Sequence, residues 1–193
     1  MRSSRERLSA LVPTEQSCQL VSLVDLFFSD ISCLGEFVEI NAQTMPDDER
    51  ILLAHNRHMT ATLEALHKSQ ILVEVLGTAS DNDRYCRQVV LRRSSDRRAV
   101  QFAIVRIDFG HVDITIRREI EEQGAPLGRI LIDHDVSRNV VMMALWQIKP
   151  APELLQRLEI PALTTIYGRS AMIFCNGADA IELLEIPTPV RMM

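Results

Sequence analysis

The sequence contains no Gly-x-Ser-x-Gly, no Gly-x-Gly-x-x-Gly and no phosphate-binding P-loop. Hydrolase, dinucleotide and nucleotide chemistries therefore have no motif to rest on, since each needs glycines where the backbone turns sharply or approaches a phosphate. Cysteine is sparse too. Cys18, Cys33, Cys86 and Cys175 are scattered, with no C-x-x-C pair and no paired Cys/His spacing. That excludes a disulfide framework or a zinc site and reads as reduced thiols in a cytoplasmic protein. His55 and His58 are spaced i, i+3, and His134 lies between Asp133 and Asp135, but no third ligand stands at a characteristic distance, so no metal is expected. No apolar run could span a bilayer. The longest, residues 20–28, is broken by Ser22 and Asp25, and no apolar stretch follows the basic start to make a secretory signal. No membrane partner is expected. An excess of positive charge is also missing: the net charge is −5 and the pI about 5.6. Nucleic acid, which needs a basic field, is therefore not an expected partner, and an anionic ligand would need a local cationic site.

What is present can bury a sizeable core. Hydrophobic residues make up 47% of the chain and charged residues 24%, in a length of 193 residues that suits a single domain over 1–193, with 1–13 polar and loose. Thr14 stands at an N-cap before the stripe Leu20, Val21, Val24, Phe27 and Phe28, which predicts a helix to about residue 30. A short strand follows at 37–40. The run Thr44-Met-Pro-Asp-Asp-Glu49 joins a capping hydroxyl, an early proline and acids near the positive end of a helix dipole, and so predicts a helix start. Apolar spacing and turn residues predict further helices over 61–67, 113–122 (ended by Gly124), 129–132 and 152–158. Strands are predicted over 71–76, 84–91, 100–107 and 139–148. Hairpin-length connections between neighbouring strands imply an α+β fold on a single, largely antiparallel β-sheet.

The chain closes on two apolar runs around Asn176-Gly177, a dipeptide suited to the positive φ angles of a tight turn, so residues 167–187 read as a β-hairpin. Period-two alternation places Ile181, Leu183 and Glu185 on one face, and Glu182, Leu184 and Ile186 on the other. Each face thus carries a carboxylate among aliphatic side chains, where it needs a partner or a proton. In the strand over 84–91, Tyr85, Arg87, Val89 and Leu91 share a face, which turns Arg87 inward. An inward arginine and an inward glutamate form either a structural ion pair or the two sides of a ligand site, and pattern alone does not choose. The helix start near Leu127 offers unpaired backbone N–H groups suited to an anion.

Four separated segments are Leu52-Leu-Ala-His-Asn-Arg-His-Met-Thr60, Arg84-Tyr-Cys-Arg-Gln-Val-Val-Leu91, Gly124-Ala-Pro-Leu-Gly-Arg129, and the end of the chain from Tyr167-Gly-Arg169 to Glu185-Ile-Pro187. In this order they resemble the chorismate lyase (chorismate–pyruvate lyase) family. The resemblance implies one antiparallel sheet with helices and helical flaps over a buried ligand pocket. It also implies a carbon–oxygen lyase that cleaves the enol ether of chorismate to 4-hydroxybenzoate and pyruvate, with no metal and no organic cofactor. Position by position, it places the carboxylate-binding arginine on Arg87 and backbone contacts to the aromatic acid on Met59 and Leu127. The acid near the ring oxygen falls on Glu185, or on Glu182 if the hairpin changes length. Arg87 and Glu185 would then be the catalytic pair, the glutamate kept protonated by aliphatic neighbours so that it can donate to the ether oxygen. Arg169 and Arg106 are the candidates for a second cation. The expected partner is a small anionic molecule, chorismate or a related aromatic acid. The same scaffold also resembles effector-binding domains of transcription regulators, so a non-catalytic small-molecule binding module is the alternative.

Overall fold

The computed structural model describes residues 14–82, 84–162 and 165–190. Seven strands pair antiparallel throughout: β1 (Gly35–Ile40), β2 (Ile71–Asp81), β3 (Arg84–Arg93), β4 (Ala99–Ile107), β5 (Arg138–Pro150), β6 (Ile166–Cys175) and β7 (Ala178–Pro187). Their order across the sheet is β1-β5-β6-β7-β4-β3-β2. Six α-helices cover it: α1 (Glu15–Val24), α2 (Asp47–Leu53), α3 (Met59–His67), α4 (Ile114–Glu122), α5 (Leu127–Asp133) and α6 (Pro152–Leu158). The fold is the α+β class with a single antiparallel sheet that the sequence predicts. The polar segment 1–13 lies outside the described residues.

Local chemistry explains most of the boundaries. At the closing turn, Asn176 and Gly177 take φ values of 52° and 87°, the left-handed conformations for which this dipeptide is suited. Thr14 caps α1, its Oγ1 accepting from the Ser17 amide at 3.1 Å. That helix stops at Val24, earlier than its apolar stripe predicts. The Phe27 and Phe28 amides both donate to the Val24 carbonyl, and this turn sets the Phe28 ring edge-on to Phe102, 6.4 Å between centroids. Thr44 does not cap α2. Its hydroxyl donates to the Asn41 carbonyl at 2.8 Å, and α2 begins after Pro46 with Asp47, Asp48 and Glu49 in its first turn. Gln123, at φ 60°, ends α4 in place of the expected Gly124.

The sheet is covered on both faces. Residues of α1 and α6 pack with Phe28, Phe37, Phe102, Trp146, Leu184 and Ile186 on one side. On the other, α4 and α5 pack over Val105, Ile173 and Leu183, while α2 and α3 pack over Val89, Leu91 and Ala103. β4 runs through the middle and every one of its residues is buried. Its near-continuous apolar run is what two covered faces require of a strand.

Candidate functional site

Within β4 only Gln101 and Arg106 are polar, and alternation sends them to opposite faces. Arg106 lies on the α1 side. It grips Glu182 with Nη2–Oε2 at 2.5 Å and Nε–Oε1 at 3.2 Å, and its Nη1 donates to Asp81 Oδ2 at 2.9 Å and Ser22 Oγ at 3.0 Å. Glu182 therefore belongs to a structural network on one face, and Arg106 spends four of its five N–H donors on that network.

The other face carries a cavity of about 40 Å³ open to the centres of water molecules. That space holds about three waters at the size of a single-water site. Its floor is Arg87, Val89, Ala103, Val105, Leu183 and Glu185, and its roof is the starts of α3 and α5. The roof is tight because Gly128 has no side chain: a Cβ there would stand 2.7 Å from Thr60 Oγ1. The structure thus brings Arg87, Glu185, Met59 and Leu127 to one cavity from four different elements.

Arg87 is 1% exposed and forms no ion pair among the described residues. Its Nη1 donates to the Ile120 carbonyl at 3.4 Å, and its Nε–H has no acceptor. Burial lowers the basicity of its guanidinium, with the neighbouring Tyr85 acting in the opposite sense. A cation so placed is costly unless something anionic meets it.

Glu185 is differently placed. Its Oε2 accepts from Arg169 Nε at 2.7 Å, and Arg169 is fully buried. The rest of that guanidinium ties down the segment between α2 and α3: Nη1 donates to the His55 carbonyl at 2.7 Å and the Leu53 carbonyl at 3.4 Å, and Nη2 to the Arg57 carbonyl at 3.0 Å. Arg169 is therefore a strut holding the cavity roof to β6. Neither it nor Arg106 supplies the second cation that the resemblance required.

Two histidines share this roof. His55 Nδ1 lies 3.1 Å from Arg169 Nη1, and His58 Nε2 accepts from Arg138 Nε at 2.7 Å. Burial first, then Arg169 and Arg57, lower the His55 pKa from 6.5 to about 4. Burial first, then Arg138 and Arg169, lower that of His58 to about 4. Between pH 6.5 and 4 the unfolded chain binds these protons and the folded protein does not. Their contribution to stability is therefore complete above pH 6.5 and is lost as the pH falls toward 4. After a discount for partial exposure, the melting temperature is expected to fall by about 4–8 °C across that window. Thermal melts from pH 7 to 4.5 test this, and the His58→Gln variant should show a shallower slope than the parent.

No family model matches the chain, and no curated protein matches it in sequence. Solved structures do match in shape. The effector domain of PhnF from Mycobacterium smegmatis has a TM-score of 0.54 at 11% identity, over 70% of this chain and 90% of that one. PhnF from the same organism has a TM-score of 0.53 at 12% identity, over 70% of this chain and 65% of that one. The present chain thus spans just under two thirds of PhnF. A transcriptional regulator of the GntR family from Bacillus cereus has a TM-score of 0.44 at 9% identity, over 63% of this chain and 93% of that one. What is shared is the fold.

These comparisons correct the expectation of an enzyme. Of the two PhnF structures, one is described as an effector domain and neither as a lyase. Chorismate cleavage to 4-hydroxybenzoate and pyruvate is accordingly set aside. The exclusion of nucleic acid rests on net charge alone and no comparison supports it. No helix among the described residues is long and apolar enough to cross a membrane.

Gln101 is the cavity residue that sequence reasoning passed over. It is 2% exposed and lines the same space as Arg87. Its signal was legible: it is the one uncharged polar residue in the apolar run 99–105.

Proposed function

We propose that this chain is a small-molecule binding domain whose cavity takes a small organic acid and does not transform it. The observation that carries this reading is Arg87, a buried guanidinium with an unused N–H and no carboxylate partner among the described residues, facing a cavity. Such a group offers a bidentate, charge-assisted site for a planar carboxylate. The first turn of α3 adds backbone donors at Met59 and Thr60. Leu127, Val105 and Leu183 supply apolar walls, the usual composition of a site for a compact organic ligand. In this reading Met59, Arg87 and Leu127 contact the ligand, and Glu185 shapes the cavity through Arg169.

Calorimetric titration with formate, acetate and propanoate, against their neutral amides, tests the proposal. Saturable binding of at least one acid, with its amide weaker by about tenfold or more, is expected of a charge-assisted contact. Equal affinities for acids and amides, or no binding of either, would remove Arg87 as a ligand anchor.

A further inference from the structure

Arg87 borders the cavity on one side and α4 on the other, although α4 supplies no side chain to the cavity wall. That helix is lightly held. Of its nine residues Ile116 and Ile120 alone are buried, in the apolar cluster that includes Val105, Ile107 and Leu127. Its remaining ties converge on Arg87 and the neighbouring Tyr85. Arg87 Nη1 donates to the Ile120 carbonyl at 3.4 Å, and Gln123 Nε2, just past the helix end, donates to the Tyr85 hydroxyl at 3.3 Å. The Arg117 guanidinium stands 4.9 Å over the Phe109 ring, which stacks on Tyr85 with 5.6 Å between centroids. The acids of α4 do not neutralise Arg87, because Glu119 is turned to His134 and Glu121 to Arg117.

Docked α4 therefore helps to seal an unpaired cation from water. The guanidinium gives up its hydration for one long bond to a carbonyl, so burial of the two isoleucines works against a desolvation cost that the same movement creates. An anion on the free Nε–H of Arg87 removes that cost from the cavity side, while Nη1 stays on Ile120. We propose that α4 responds to occupancy of the cavity: an anion on Arg87 tightens the docking of α4, and Arg87 is the group that couples the two. The proposal rests on the carboxylate reading of Arg87. Coupling of this kind is reciprocal, so whatever holds α4 down raises the affinity for the anion, and whatever lifts α4 lowers it.

Amide hydrogen exchange over residues 118–123, the last turn of α4, tests the proposal, because it reads local opening directly. The full chain is measured with and without saturating formate, acetate or propanoate, and α1 on the opposite face of the sheet serves as the control. The acid should slow exchange in α4 by about fivefold or more, the lower end of ordinary coupling between two sites, and leave α1 unchanged. Arg87→Met has no cation to desolvate. Its α4 should exchange slowly without any acid and should not respond when acid is added. Saturable binding by calorimetry with unchanged exchange in α4 overturns the proposal and leaves the carboxylate site standing. No saturable binding of any of the three acids removes the carboxylate reading and this proposal with it. If α4 in Arg87→Met exchanges as fast as in the ligand-free parent or faster, the cation does not oppose docking, and the proposal is overturned whatever the acids do.

Discussion

Arg169→Leu is expected to lose about 4–5 kcal/mol of folding stability, or to leave no cooperative folded state, because it strips a buried ion pair of its cation. Arg169 is fully buried and serves two elements at once. On the sheet side it meets Glu185, and on the roof side it meets the carbonyls of Leu53, His55 and Arg57. Removing it leaves a carboxylate at 6% exposure with no other ion-pair partner among the described residues, and three carbonyls without the donor that Arg169 supplies. The conservative change Arg169→Lys should also lose several kcal/mol, because an ammonium has no planar fork with which to reach the carboxylate and the carbonyls together. Urea unfolding gives the numbers. The double variant Arg169→Leu/Glu185→Gln should recover part of the loss, since the second change removes the stranded charge. A cost below about 1 kcal/mol, typical of a solvated surface pair, would show that the roof does not depend on this strut.

Arg87→Met should act in the opposite sense on stability. Arg87 is about as buried as Arg169 yet has one long bond to the Ile120 carbonyl, the Tyr85 side chain beside it, an idle Nε–H and no ion pair among the described residues. An apolar side chain of similar length removes the desolvation cost, and the protein alone is expected to gain about 1–3 kcal/mol. Acid binding should fall by about a hundredfold or more, the consequence of deleting a charge-assisted bidentate contact. A group that lowers stability while it waits for a partner is a common mark of a binding site. If Arg87→Met is instead destabilising by several kcal/mol, Arg87 is a structural residue and the cavity loses its anion anchor.

These two arginines show where a sequence is informative and where it is silent. Alternation alone turned Arg87 inward, because Tyr85, Val89 and Leu91 share its face, and it put Glu182 and Glu185 on opposite sides of β7. The structure agrees with both placements. What alternation does not encode is which arginine faces which glutamate. Arg169 pairs with Glu185 because the turn at Asn176-Gly177 and the one-residue register shift between Ile173 and Phe174 together make those two residues neighbours. Arg106 pairs with Glu182 because β4 and β7, far apart in sequence, lie side by side with those residues opposite. Each arginine regarded as a second ligand cation turned out to be the partner of a carboxylate. The helix boundaries that differed have an equally local cause: Thr44 had a nearer carbonyl to serve, and Gln123 could take the left-handed conformation itself.

By itself, then, the sequence determined the α+β class, the closing hairpin, the two faces of its last strand and the inward turn of Arg87. All of these follow from periodicity and turn chemistry within a few residues. Only the tertiary structure decided which buried charges are satisfied and which are idle. That distinction depends on strand register across the sheet and on where the α2–α3 segment is tied down. It separates Arg169 and Arg106, engaged in the architecture, from Arg87 and Gln101, whose unused hydrogen-bonding capacity faces the cavity.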